Sequence, residues 1–120
     1  MIKAYKDFIV WQKSIDLAVK IYTLTTKFPK DEIYGLSSQM KRSSVSISSN
    51  IAEGRLRNTR KEFIQFLRIA IGSAGELESQ IEIVKRLSFV EKVDYNDIEK
   101  LIEEVIKMLN SMISKLTANS

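Results

Sequence analysis

Seven serines crowd one short stretch of the chain, Ser37, Ser38, Ser43, Ser44, Ser46, Ser48 and Ser49. A serine hydroxyl becomes a nucleophile only when a neighbouring base takes its proton. The sequence contains no histidine and no cysteine, so there is no imidazole to act as that base, no thiolate nucleophile, and no disulfide or zinc-thiolate framework. Helical carboxylate metal centres draw on inward glutamates paired with Glu-x-x-His motifs, which this chain cannot form. No catalytic residue, metal or cofactor is expected, and the chain reads as non-enzymatic. The carboxylates Glu53, Glu76 and Glu78 lie among small or apolar residues and within reach of Arg42, Arg55 or Arg57. Structural ion pairing is their expected role.

Phosphate binding is the chemistry that the charged residues could supply. Between residues 41 and 68 there are seven basic side chains, Lys41, Arg42, Arg55, Arg57, Arg60, Lys61 and Arg68, against the two acidic ones Glu53 and Glu62. Beyond residue 68, nine acidic residues outnumber six basic ones, so the net charge of +4 conceals a basic middle and an acidic remainder. Arg55, Arg57, Arg60 and Lys61 surround one expected turn, and Lys41, Arg42 and Arg68 are assigned to the same surface. A cluster of this kind can hold nucleic acid phosphates. No aromatic residue interleaves the cations from Arg55 to Lys61, so backbone contact to RNA or DNA is expected rather than base stacking.

The elements that position these residues follow from apolar spacing. With one proline, four glycines and no low-complexity linker, the chain reads as helices joined by short turns. A first helix over roughly residues 7–27 repeats Trp11, Ile15, Ala18 and Tyr22 as its core stripe and stops at Phe28-Pro29. A second, roughly 34–53, sets Leu36, Met40, Ile47 and Ile51 on one face, with Gly54 expected as its left-handed C-cap. Thr59-Arg-Lys-Glu62 is a capping box opening a third helix. Its seam Phe63, Leu67, Ala70, Ala74, Leu77, Ile81 and Val84 keeps four-three spacing. A fourth helix starts near Asp94 and buries Ile98, Ile102, Val105, Leu109, Met112 and Leu116, with Glu99, Glu103 and Lys107 outside. Short connections make consecutive helices antiparallel, giving an all-α, up-down-up-down four-helix bundle as a single domain over residues 1–120.

Two of these helices have too little polar face. Opposite its core stripe the second carries Ser38, Val45, Ser49 and Ala52. The third carries Gly72, Gly75 and Ser79, and Phe66, Ile69 and Ile71 widen its apolar arc. Glycine inside a helix costs ~1 kcal/mol relative to alanine, so these positions need a compensating reason. Close helix crossing within the bundle is one. The other is a homo-oligomer interface formed by Ser38, Val45, Ser49, Ala52, Phe66, Ile69, Gly72, Gly75 and Ser79. The composition, 44% hydrophobic and 28% charged, is that of a soluble domain, and residues 1–7 do not read as a leader. A cytoplasmic location without membrane contact is expected.

Several segments carry a family resemblance: Phe8-Ile-Val-Trp-Gln-Lys13, Phe28-Pro-Lys30, Tyr34-Gly-Leu36, Ser46-Ile-Ser-Ser-Asn-Ile-Ala-Glu-Gly54 and Gly72-Ser-Ala-Gly-Glu-Leu-Glu78. Together they resemble the 23S rRNA intervening-sequence proteins over nearly the whole chain. Where that family usually has proline this chain has Ser48, and Ser43 and Ser44 stand where alanines are common. The resemblance implies a bacterial four-helix bundle assembling as a homopentamer. It also extends to the accessory variability protein of diversity-generating retroelements, a basic pentamer that associates with a reverse transcriptase and nucleic acid. The expectation is therefore a pentameric scaffold binding RNA or DNA through a basic rim. The alternative is a protein-interaction scaffold that binds no nucleic acid.

Overall fold

The computed structural model describes residues 4–32, 34–90 and 92–118, and contains four helices and no strand among them. Residues 1–3, part of the stretch read for a leader, lie outside the described residues. A 3-10 turn at Tyr5–Asp7 leads into α1 (Ile9–Thr25), and a second at Lys30–Glu32 precedes α2 (Leu36–Leu56), followed by α3 (Arg60–Leu87) and α4 (Asn96–Ala118). Each helix packs on two others. α1 meets α2 and α4, α3 meets α2 and α4, and the α2–α3 contact is the most extensive. Contacts between α2 and α3 run in opposite numerical order: Ser43 meets Glu76, Ser46 meets Ser73, and Gly54 lies against Phe66. α1 and α4 do the same, with Lys13 paired to Glu104, and Ile9 and Val10 facing Met108 to Lys115 near the end of α4.

Every helix sends one apolar stripe inward. Leu17, Ile21, Met40, Ile47, Leu67, Leu77, Ile102 and Leu109 are completely buried, and burying such side chains stabilises the fold by ~1.5–3 kcal/mol each. The α3 seam is buried from Leu67 to Val84 as its spacing predicts, with Phe63 half-buried at the end. Aromatic pairs close the two ends. Phe8 stacks on Phe63 at 6.3 Å, and Phe28 meets Phe89 edge-on at 5.7 Å. Tyr95 packs against the core with its hydroxyl buried and without a partner among the described residues. Burial holds its pKa above the ordinary tyrosine value, against the lowering pull of the Lys85 ammonium.

Three sequence expectations are corrected. The buried stripe of α1 is Val10, Ser14, Leu17, Ile21 and Leu24, while Trp11, Ile15 and Ala18 are half-buried and Tyr22 is exposed. Ser14 is tolerated inside because its hydroxyl donates to the Trp11 carbonyl at 2.8 Å. In α4 the buried residue of the last turns is Ile113, with Met112 and Leu116 flanking it. Finally, Gly54 is not a left-handed cap. The described glycines have no positive φ, α2 continues to Leu56, and the helix ends at Arg57 in extended backbone. Glycine is needed at position 54 for close approach, because a Cβ there would stand 2.7 Å from Phe66 Cβ and 3.1 Å from Phe63 Cδ1.

Candidate functional site

The α2–α3 hairpin carries most of the candidate residues. Arg55 lies in the last turn of α2, Arg57 caps it, and its N–H donates to the Gly54 carbonyl at 3.2 Å. Thr59 then takes extended backbone, and its hydroxyl accepts the Glu62 N–H at 3.1 Å, which starts α3 at Arg60 as the capping box predicts. Arg60 and Lys61 therefore occupy the first turn of α3. A helix N-terminus disfavours cations and attracts anions. Glu62 already places one carboxylate in the same turn.

Arg57 is already engaged. Its guanidinium pairs with Glu53 at 2.6 Å, lies 3.8 Å from Glu62, and covers the Phe66 ring at 4.9 Å. This answers the expectation for Glu53, a structural ion pair. Glu76 instead accepts a hydrogen bond from Ser43 across the hairpin, and Glu78 is exposed. Lys61 and Arg68 are exposed and enter no ion pair among the described residues. The seven basic residues do not form one continuous patch. Arg68 stands eight residues along α3 from Arg60, ~12 Å at 1.5 Å per residue, and Lys41 and Arg42 lie ~20 Å up α2 from Arg55.

At that far position the structure assembles what the sequence expectation lacked. Tyr22 from α1 and Tyr34 from the segment before α2 line an open cleft of about 570 Å³ with Ser38, Lys41, Arg42, Val45 and Ser46. The Lys41 ammonium lies 5.2 Å from the centre of the Tyr22 ring, a cation–π contact. Aromatic rings therefore do accompany two of the basic residues. Tyr22 comes from a different helix, so linear proximity to the cations does not reveal it, whereas Tyr34 stands seven residues before Lys41. The expectation that no serine of α2 stands in Ser-x-x-Lys spacing is corrected, since Ser38 precedes Lys41 by three residues. The lysine is held over the tyrosine ring, and the two make no hydrogen bond to each other among the described residues.

The positions expected at a subunit interface differ in exposure. On α2, Val45 and Ser49 are exposed and Ser38 and Ala52 half-buried. On α3, Ile69, Gly72 and Ser79 are exposed and Gly75 half-buried. Phe66 instead turns inward to Gly54 beneath Arg57. A Cβ added at Gly72 or Gly75 would meet nothing within 4 Å, so close helix crossing inside this chain does not account for either glycine. Leu56, Ile83 and Leu87, which the residue pattern did not single out, also expose apolar side chains on the hairpin at 68, 47 and 53%. Three of the seven serines of α2 serve their own helix: Ser43, Ser44 and Ser48 donate to the carbonyls of Gln39, Lys41 and Val45, while Ser46 bonds Ser73 at 2.8 Å.

Among the described residues no three metal-ligating side chains converge, and no helix is long and apolar enough to cross a membrane. No curated protein matches the chain. A crystal structure of a protein of unknown function from the S23 ribosomal protein family of Bacteroides thetaiotaomicron is similar, with a TM-score of 0.80 and 32% sequence identity. The match covers 88% of this chain and 96% of that one. The model of the 23S rRNA-intervening sequence protein family matches residues 6–111. Four helices, the hairpin with its capped basic turn, and this match across most of the sequence lead to one conclusion: the chain belongs to the 23S rRNA-intervening sequence protein family.

Proposed function

We propose that this protein is a non-enzymatic scaffold, a single antiparallel up-down-up-down bundle that self-associates through the outer face of α2 and α3 and binds nucleic acid phosphates at the α2–α3 turn. The opposed contact order of α2 with α3 and of α1 with α4 supports the topology. The observation that carries the functional reading is the placement of Arg60 and Lys61 in the first turn of α3, beside Arg55. There a phosphate would receive both side-chain charge and the favourable end of the helix dipole. Self-association is supported by Gly72 and Gly75, whose missing side chains leave open space beside exposed Val45 and Ile69. A fivefold ring, the assembly that the family resemblance implies, would repeat the basic turn around a rim and multiply its phosphate contacts.

Light scattering of the purified protein with and without a structured RNA, at about 50 and 200 mM salt, tests the reading. The expected result is a homo-oligomer that takes up RNA at low salt and releases most of it at high salt. The paired charge reversal Arg60→Glu with Lys61→Glu is expected to abolish RNA uptake and leave the protein mass unchanged. RNA uptake by that variant equal to the wild type would refute the turn as the binding site. A protein-interaction scaffold, the rival, predicts a homo-oligomer indifferent to RNA at both salt concentrations.

A further inference from the structure

The cleft between α1 and the start of α2 differs from the turn in kind. Tyr34 is 96% exposed, with its ring standing free at the cleft edge, and Tyr22 is 46% exposed beneath the Lys41 ammonium. A tyrosine left in water gains the fold almost no burial energy, yet an uncovered ring beside fixed cations is a stacking platform. Neither Lys41 nor Arg42 enters an ion pair among the described residues, and no carboxylate lines the cleft. Lys41 is held in place by the Tyr22 ring, and Ser38, one turn earlier on α2, adds a hydroxyl three residues from Lys41 and four from Arg42. Flat aromatic surface, two unpaired cations and a hydroxyl within about 570 Å³ suit a ligand with a planar ring joined to a phosphate.

A nucleotide has that form, but within a duplex both faces of each base are stacked on neighbours. Only an unpaired nucleotide can offer its face to a protein ring. We infer that the cleft binds single-stranded nucleic acid, with an unpaired base stacked on Tyr34 and the adjoining phosphate held by Lys41 and Arg42. The inference rests on the nucleic-acid reading of the previous section and specifies it further. The turn supplies charge without regard to strand state, and the cleft selects the unpaired strand. Ser38 and Val45 belong both to this cleft and to the face assigned to self-association, so in that assembly the cleft opens beside the seam between protomers, with Tyr22 contributed by α1.

The test is fluorescence anisotropy of the full chain with a labelled, unstructured RNA of about 20 nucleotides, alone and annealed to its complement. Wild type, Tyr34→Ala, Tyr34→Phe and the Arg60→Glu/Lys61→Glu variant are compared, with the mass of each determined by light scattering. Tyr34→Ala is expected to weaken single-strand binding by about tenfold, the loss of one stacked base, while duplex binding and mass stay unchanged. Tyr34→Phe is expected to retain single-strand affinity, since the ring survives. Single-strand affinity unchanged in Tyr34→Ala overturns the inference. So does a fall in mass, which would make the cleft a contact between copies, or displacement of the strand by polyglutamate at equal charge concentration, which would mean that it reads charge alone. If wild type binds strand and duplex equally and only the Arg60→Glu/Lys61→Glu variant loses both, the inference falls and the turn remains. If wild type binds neither, both fall.

Discussion

Gly54 and Phe66 form the tightest contact between α2 and α3 and set how near the two helices can come. A methyl at position 54 would gain the helix ~1 kcal/mol in propensity, but it would stand 2.7 Å from Phe66 Cβ and 3.3 Å from the Phe63 carbonyl oxygen. Neither atom is the flexible end of a side chain. Relieving the overlap means moving one helix away from the other, and overpacking of that kind typically costs ~1–3 kcal/mol. The cost exceeds the gain over most of that range. Gly54→Ala is therefore expected to destabilise the protein by about 1 kcal/mol, read as a lower urea midpoint at constant slope. In a Phe66→Ala background Cβ remains but the ring can no longer resist the shift, so the Gly54→Ala penalty is expected to shrink. An equal penalty in both backgrounds would show that the Phe66 ring does not hold the two helices at this spacing.

Helix boundaries depend on short local signals, and α3 shows this most clearly. Its first turn leaves amide groups without intrahelical partners, and the Thr59 hydroxyl satisfies that of Glu62 while also lying 3.1 Å from the Glu62 carboxylate. Thr59→Ala is expected to lower stability by about 1 kcal/mol and to leave the helix content of the native protein nearly unchanged by circular dichroism, since the long α3 seam remains buried. Thr59→Ser is expected to recover most of the loss. The capping box and the seam from Phe63 to Val84 are legible in the sequence because both repeat at fixed local spacing. The α1 face is less so. Its true stripe is interrupted by Ser14, and the competing stripe through Trp11 and Ile15 looks more apolar until the Ser14 hydroxyl finds its own helix carbonyl. Gly54 resembles a cap in sequence, and only the partner helix reveals the close approach it serves. The basic turn is legible as four cations within seven positions. The Tyr22–Tyr34–Lys41 cleft is legible only in part: Tyr34 stands seven residues before Lys41, but Tyr22 reaches that cation through the packing of α1 on α2.

For the whole molecule, the outer face of the α2–α3 hairpin carries the main question, since it is neither buried like the core nor charged like the outside of α4. Gly72 and Gly75 together forfeit ~2 kcal/mol of helix stability relative to alanine, and a Cβ at either would meet nothing within 4 Å. In an isolated chain, replacing both with glutamine should stabilise α3, because glutamine is a good helix former and its polar amide can remain in water. In an assembly packed through this face, the same side chains would stand between the copies. The double variant Gly72→Gln with Gly75→Gln is thus expected to raise the thermal midpoint measured at protein concentrations low enough to dissociate wild type. At higher concentrations, sedimentation is expected to show a mass below that of the wild-type oligomer. Stabilisation and loss of assembly arising from the same two residues would explain why glycine is kept where the bundle itself has no use for it. A variant that is more stable and still assembles like wild type would move the interface elsewhere, and the rim of repeated turns would need a different geometry.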